Sequence, residues 1–150
     1  MYLYRIASCK HIRDLTGTGG LYASGRWHNK GTRIIYFSEH ISLAKLEILA
    51  NSSFLPKRLC LLTAIIPDDI IPVEVTEKEL PKDWDNYPYV EDLKEISLKW
   101  LMSQKSVLLK VPSAQSSLEF NYLVNPLHKD IINLKVRSIE DIKFDQRLRL

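Results

Sequence analysis

Short β-prone segments outnumber helical ones along the chain, and this feature of the sequence restricts the possible folds more than any other. Each is rich in β-branched or aromatic residues, which favour strands. The predicted strands are residues 2–6, 33–37, 59–66, 106–111, 120–124 and 131–136. Residues 39–51 and 89–104 predict helices, the second with apolar residues at helical spacing. Because strands and helices do not alternate strictly, we expect an α+β fold with a compact mixed β-sheet and flanking helices.

Length and proline distribution bound the domain organisation. The 150 residues fit one domain, which we predict over 1–150, and no repeat or linker interrupts them. Residues 67–88 contain four of the seven prolines, so we expect a loop-rich excursion with at most a short helix near Glu77.

The charge pattern argues against nucleic acid and membrane as direct partners. The net charge is only +3, the sequence pI is about 8.8, and the basic residues are scattered rather than aligned in a stripe. No stretch is long and apolar enough to cross a bilayer, and Met1 leads straight into Tyr2-Leu3-Tyr4-Arg5 without a signal peptide. We therefore expect a cytoplasmic protein.

The two cysteines, Cys9 and Cys60, give no metal-binding pattern. They are far apart in sequence, no Cys-x-x-Cys is present, and the four histidines do not cluster with them. Cys60 lies in the apolar run Leu59-Cys60-Leu61-Leu62, and we expect it to pack as a small hydrophobe in a reducing compartment.

A glycine-flanked loop places a cation beside a large aromatic residue. The run is Gly25-Arg26-Trp27-His28-Asn29-Lys30-Gly31, and an apolar β-prone segment follows it. Glycine lets a ligand approach the main chain closely, and the Arg26 guanidinium matches phosphate oxygens. The loop thus suits an anionic, partly aromatic small molecule, although an ordinary turn with a packed Trp27 and a solvated Arg26 fits the same letters.

Glu47 is a carboxylate in an apolar seam of the first predicted helix. Its neighbours at helical spacing are Leu43, Ala44 and Ala50, while Ser38 is placed to cap the helix with its hydroxyl. A buried carboxylate needs a hydrogen-bonding or charged partner. Glu47 is therefore either held in a cleft with Arg26 nearby as cation, or lies at the border of the buried face with its oxygens in water.

Ser113 follows Pro112, which ends the preceding strand. This position presents Ser113 at a strand terminus, a usual place for functional residues in α/β folds. Ser after Pro is also frequent in plain turns, so both interpretations stay open.

In this order, the pieces resemble the RES domain, a family of toxins from bacterial toxin–antitoxin pairs, named for an Arg, a Glu and a Ser. The resemblance spans nearly the whole chain. Its motifs are Tyr4-Arg5-Ile6, Ser24-Gly25-Arg26-Trp27, Ile35-Tyr36-Phe37-Ser38, Leu43-Ala44-Lys45-Leu46-Glu47, Val111-Pro112-Ser113-Ala114, Asn121-Tyr122, Asn125-Pro126, His128 and Phe144-Asp145-Gln146-Arg147-Leu148.

The resemblance implies a fold related to the ADP-ribosyltransferase core and a reaction on NAD+. RES toxins split the bond between nicotinamide and ribose, with water or phosphate as acceptor, and some pass ADP-ribose to a protein. NAD+ would be the substrate, with no further cofactor and no metal. The implied partner is a helix-turn-helix antitoxin of the Xre-like type.

Roles for five residues follow from the resemblance and the chemistry together. Glu47, Arg26 and Ser113 form the expected catalytic set, with Glu47 facing the cationic ribose of the transition state. Arg26 and Arg5 are candidates for the pyrophosphate, Tyr36 for stacking on nicotinamide or holding it by the hydroxyl, and Ser113 for bonding the ribose or the amide. Arg5 also fits an exposed residue at the end of the first strand, and Tyr36 a half-buried strand aromatic.

Two departures from the family pattern lie in the loop. The family usually has Gly-Gly-Arg-Trp-Asn, whereas this chain has Ser24 in place of the first Gly and His28 in place of the Asn. Three functions remain open: an NAD+-degrading toxin, an ADP-ribosyltransferase with a macromolecular target, and a binding module that kept the fold and lost the chemistry.

Overall fold

The computed structural model describes residues 1–148, and its main element is a seven-stranded sheet. The strands are β1 (Tyr2–Ser8), β2 (Ile35–Ser38), β3 (Leu59–Ile65), β4 (Val73–Glu74), β5 (Leu108–Pro112), β6 (Phe120–Val124) and β7 (Lys135–Ile142). The helices are α1 (Gly19–Tyr22), α2 (Ile41–Ala50) and α3 (Asp92–Ser103), with 3₁₀ turns at Glu77–Glu79, Lys129–Asn133 and Gln146–Leu148.

The sheet is mixed, as the sequence predicts. Its strand order is β4-β5-β6-β2-β1-β3-β7, and the pair β4–β5 is parallel whereas the other pairs are antiparallel. The predicted α+β class is therefore confirmed. Among the helices of the described residues, none is long and apolar enough for a membrane span.

Alternation along the strands gives the sheet two different faces. One face holds a single core cluster, to which Leu3, Leu62 and Val124 belong. The other holds two clusters, one around Trp27, Trp100 and Leu123 and one around Ile6, Ala44 and Leu61. A space between two apolar clusters on the same face is where a cleft can form, and the candidate site lies on this face.

The prediction of a strand over residues 131–136 is partly wrong. A 3₁₀ turn occupies Lys129–Asn133, started by the Asp130 amide, which donates to His128 Nδ1 at 3.1 Å. The strand β7 begins only at Lys135 and continues to Ile142. As an edge strand paired with β3 alone, β7 is largely exposed and polar, so it lacks the apolar pattern that identifies a buried strand.

The predicted capping role of Ser38 is also wrong. Ser38 is the last residue of β2, and its hydroxyl donates to Asn121 Oδ1 at 2.7 Å. The residue before α2 is His40, which makes no side-chain capping bond. Two residues thus separate Ser38 from the helix, and its hydroxyl is used between strands instead.

The cysteines are paired, contrary to the expectation that Cys60 is only a packed hydrophobe. Cys9 and Cys60 form a disulfide across 51 residues of sequence. Cys60 does lie in the core, but β1 and β3 run side by side, with Ala7 opposite Cys60, and this places Cys9 within bonding reach. Sequence distance concealed the pairing, because strand register decides which residues meet.

Candidate active site

A cavity of about 910 Å³ opens on the face with two core clusters, and polar residues form its floor. The register aligns Tyr4 of β1 with Ser38 of β2, and Ser38 with Asn121 of β6. Ser38 and Asn121 are both buried, and together with Tyr4 they line the cavity. The apolar face of the sheet is thus interrupted by a short polar row in its centre, and α2 places Glu47 beside this row.

The Glu47 carboxylate is held by two hydrogen bonds on one oxygen. Asn121 Nδ2 donates to Oε1 at 2.6 Å, and Ser113 Oγ donates to the same atom at 2.9 Å. No described residue donates to the other oxygen, Oε2. The hydrogen-bonding partners that a partly buried carboxylate needs are therefore neutral donors, and Arg26 donates no hydrogen bond to it. Glu47 lines the cavity, and its Oε2 has no donor among the described residues.

Ser113 lies behind Glu47 rather than on the cavity wall. It is 4% exposed, and its neighbours Pro112 and Ala114 line the cavity whereas Ser113 does not. Its hydroxyl proton is directed to Glu47, and its oxygen accepts from the Gln115 amide at 3.0 Å. Ser113 therefore lies next to Glu47, as expected for two members of the predicted catalytic set. The contacts of Ser113 are those of a residue that positions the Glu47 carboxylate.

Arg26 is braced by the loop that precedes α3. Its Nη1 donates to the carbonyls of Trp84 and Asn86, at 2.8 and 3.0 Å, and its guanidinium lies 4.8 Å from the centre of the Tyr89 ring. No described residue accepts from its Nε or Nη2. Arg26 lines the cavity, so a fixed cation with free donors borders the same space as Glu47.

Arg5 lies in the middle of β1, not at its end as predicted, because pairing with β3 continues to Ser8. Its register partner is Leu62, on the face opposite the cleft, and Nη1 donates to the carbonyls of Ile12 and Asp14 at 3.1 and 2.8 Å. Burial lowers the pKa of Arg5, and the charge of Asp14 partly offsets this effect. Arg5 is nevertheless among the residues that line the cavity. Because its Nη1 is bound to two carbonyls, its contact with the pyrophosphate stays a prediction.

Tyr36 is the aromatic wall between the loop and the polar row. Its hydroxyl accepts from the Trp27 amide at 3.3 Å and lies 2.7 Å from His28 Nδ1. Burial raises the pKa of the Tyr36 phenol far above its usual range, so the group is neutral at any physiological pH.

Sequence reasoning assigned no role to Asn121 and only a helix-capping role to Ser38, although both belong to the quoted motifs. Asn121 orients Glu47, and Ser38 orients Asn121 by donating to its side-chain oxygen. The available signal was a polar residue at an inward position of an otherwise apolar strand, as in Phe120–Val124. The carbonyls of Trp84 and Asn86, which fix Arg26, have no sequence signature.

Comparison with known proteins agrees with this architecture. The RES domain family model matches residues 2–145. A "Prs ADP-ribosylating toxin" of Sphingobium sp. is 34% identical over 139 residues, which cover 90% of this chain and 86% of that protein. A "Toxin Res" of Photorhabdus laumondii is 35% identical over 156 residues, covering 99% and 97%.

A solved structure has the same fold at much lower identity. A chain of the M. tuberculosis MbcT–MbcA toxin–antitoxin complex superposes with a TM-score of 0.73 at 16% identity, over 95% of this chain and 84% of that one. The family match over nearly the whole length, with relatives at about one-third identity, establishes that this chain is a member of the RES domain family.

Proposed function

We propose that this chain is the toxin of a bacterial toxin–antitoxin system and degrades NAD+ by cleaving the bond between nicotinamide and ribose. One observation supports this most directly: Glu47 presents an oriented carboxylate in a cavity large enough for a dinucleotide, and one of its oxygens has no donor among residues 1–148.

The bond cleavage needs little besides such a carboxylate. The electron pair of the carbon–nitrogen bond passes to the ring nitrogen of nicotinamide, which leaves as a neutral molecule. Positive charge builds on the ribose ring until a lone pair of water or phosphate adds at the same carbon, and an attacking water then loses its proton. Glu47 stabilises the developing cation, and Ser113 and Asn121 keep its carboxylate oriented so that it need not reorganise during the reaction.

Arg26 supplies the cation for the pyrophosphate. Two backbone carbonyls and the Tyr89 ring hold its guanidinium, so little side-chain freedom is lost when phosphate oxygens bind to its free donors. NAD+ is the substrate in this scheme, and neither a metal nor another cofactor takes part.

A second candidate is transfer of ADP-ribose to a macromolecule. The name of the Sphingobium relative, "Prs ADP-ribosylating toxin", favours this reaction. It shares the first step and differs in the acceptor, since a protein side chain replaces water or phosphate. A binding module without activity is the third alternative.

A cognate antitoxin is part of the proposal. The names "Toxin Res" and "MbcT–MbcA toxin–antitoxin complex" belong to proteins that this chain resembles. We propose a helix-turn-helix, Xre-like partner that covers the cleft between the Arg26 loop and α2, and a cytoplasmic location where NAD+ is available.

The purified chain incubated with NAD+ tests the three alternatives. Free ADP-ribose, or its phosphorylated form when phosphate is present, supports the degrading enzyme. Label from adenylate-labelled NAD+ on added cell proteins, without free ADP-ribose, supports the transferase. Intact NAD+ in all mixtures supports the binding module and contradicts both enzymes.

Glu47→Gln should abolish NAD+ consumption and leave the fold intact. Glutamine keeps the volume but not the charge, and we expect a rate loss on the order of 10²-fold or more. Glu95→Gln, an exposed change of the same type on α3, is the matched control and should behave as wild type. A folded Glu47→Gln protein with wild-type turnover would remove Glu47 from the mechanism.

A further inference from the structure

His28, one of the two residues that depart from the family pattern, is buried next to the cavity wall. It is 7% exposed, and both ring nitrogens have partners. Nε2 lies 2.8 Å from the Ala23 carbonyl, and Nδ1 lies 2.7 Å from the Tyr36 hydroxyl. His28 thus connects the start of the glycine-flanked loop with β2.

The partners of His28 decide where each proton lies. A carbonyl can only accept, so Nε2 carries the ring proton and donates to Ala23. In the neutral ring Nδ1 is then an acceptor, and Tyr36 must donate to it. The Tyr36 oxygen in turn accepts from the Trp27 amide. The single proton of the Tyr36 hydroxyl is therefore committed to His28 and is not available to a ligand.

The same contact fixes the turn that carries Arg26. The Gly25 amide donates to the His28 carbonyl at 3.0 Å, which closes the turn around Arg26 and Trp27. A Cβ on Gly25 would lie 2.9 Å from His28 Cε1 and 3.0 Å from the Tyr36 oxygen. Only glycine leaves room for the imidazole–phenol pair directly beneath the turn.

We propose that His28 is a positioning residue: it engages the Tyr36 hydroxyl, so that Tyr36 meets the substrate with its ring face and the Arg26 turn is fixed to the same wall. The inference rests on the proposed function and assigns Tyr36 one of its two predicted roles, stacking on the nicotinamide rather than hydrogen bonding to it.

The charge state of His28 gives the arrangement a defined pH dependence. Burial lowers the pKa of His28 below its ordinary value of 6.5, the bond to Ala23 opposes this, and the charge of Lys94 on α3 lowers it further. The group facing His28 from β2, Tyr36, stays neutral. Protonation at acid pH turns Nδ1 into a donor, so the contact reverses: the Tyr36 oxygen accepts from His28, and the hydroxyl proton is no longer committed to the imidazole.

Two substitutions separate the contacts of His28. His28→Asn places an acceptor at the same distance along the side chain as Nδ1, so it keeps the bond to Tyr36 and loses the bond to Ala23. His28→Gln places a donor one atom further out, where it can reach Ala23, and leaves Tyr36 without its partner. Both variants are uncharged, so neither titrates.

We expect the kcat/KM for NAD+ to stay near wild type in His28→Asn and to fall roughly three- to tenfold in His28→Gln, the range for one lost hydrogen bond. Tyr36→Phe removes the same contact and also the acceptor of the Trp27 amide, so it should cost slightly more than His28→Gln. Adding His28→Gln to Tyr36→Phe should cost nothing further, because the shared contact is already lost. The overturning result is a Tyr36→Phe loss far larger than that of His28→Gln, because the hydroxyl would then act on the substrate directly.

The pH profile distinguishes positioning from simple folding. In wild type we expect an acid limb in kcat/KM below pH 6.5, absent in His28→Asn. Lys94→Gln should move this limb to higher pH, because it removes a positive charge that opposes protonation. An unchanged acid limb in His28→Asn would overturn the proposal.

A readout without activity separates this inference from the proposed function. Nitrogen NMR of the four imidazoles should show, at neutral pH, an Nε2-protonated neutral ring that disappears in His28→Asn. The signal of His128, whose Nε2 also meets a carbonyl, should remain. An Nδ1-protonated ring at this position would contradict the inference, even if the protein cleaves NAD+. Conversely, the expected tautomer in a protein that leaves NAD+ intact would support the contact and reject the reaction.

Discussion

At the scale of single residues, the catalytic half of the proposed site consists of the Glu47 carboxylate and the neutral groups that orient it. Glu47 accepts hydrogen bonds from Ser113 and Asn121, and Ser38 fixes the amide of Asn121 by donating to its oxygen. The amide cannot turn over, because its oxygen would then face the carboxylate. This order of donors directs the charge of Glu47 without neutralising it, which is what stabilisation of a cationic transition state requires.

Asn121→Asp should reduce kcat for NAD+ cleavage by about tenfold or more, with a smaller change in KM. A second carboxylate would stand 2.6 Å from Glu47 in place of a donor, and the two groups would share a proton. Steady-state kinetics measures the effect. Asn133→Asp, in the 3₁₀ turn before β7, is the matched control. Wild-type kcat in folded Asn121→Asp would show that Glu47 needs no orienting amide.

Arg26→Lys should raise the KM for NAD+ and affect kcat less. Lysine keeps the charge, but it cannot donate to two carbonyls and still offer a fork to phosphate oxygens. Arg137→Lys on the edge strand β7 is the control for a general change of this type. If the KM of Arg26→Lys equals that of wild type, Arg26 is a structural residue of its loop.

At the scale of elements, the site is assembled by loops that bring distant strands together. The turn before β2 supplies Arg26, and the proline-rich segment before α3 holds it through the Trp84 and Asn86 carbonyls and the Tyr89 ring. Residues nearly sixty apart in sequence thus fix one guanidinium. The Glu47 carboxylate is fixed in a similar way: α2 carries it, and it accepts hydrogen bonds from Ser113 just after β5 and from Asn121 of β6.

Replacing Tyr89 tests the bracing of Arg26. Tyr89→Leu should raise the KM for NAD+ about two- to fivefold, the range for an exposed cation–π contact. Tyr89→Phe keeps the ring face and loses only the bond from the hydroxyl to Asn51 Oδ1, so its KM should stay near wild type. Equal effects of the two variants would assign the contribution to that hydroxyl instead.

At the scale of the whole molecule, the proposed activity makes the free chain toxic. Expression without a partner should arrest bacterial growth and lower cellular NAD+, and the fall in NAD+ should precede the arrest. Samples taken before growth slows are needed, because dying cells also lose NAD+. Co-expression of the proposed cognate antitoxin should restore growth. Growth arrest at constant NAD+ would favour the transferase, and the Glu47→Gln chain is the control for toxicity unrelated to catalysis.

The sequence alone determined the class of fold and most of its elements. The spacing of β-branched and aromatic residues located β1, β2, β3, β5 and β6, because such segments are buried and their pattern reflects that burial. The helices α2 and α3 followed in the same way. The four-residue α1 and the two-residue β4 have too few positions for a pattern, and the exposed edge strand β7 has no apolar face to reveal it.

Contacts between elements were decided by the tertiary structure. The ordered motifs selected Arg26, Glu47 and Ser113, but only the register of β2 and β6 placed Ser38 and Asn121 beside Glu47. Register likewise brought Cys9 to Cys60 and placed Arg5 within β1. The physical reason is the same throughout. Local propensity acts over a few residues, whereas a hydrogen bond across the sheet depends on how two strands far apart in sequence align.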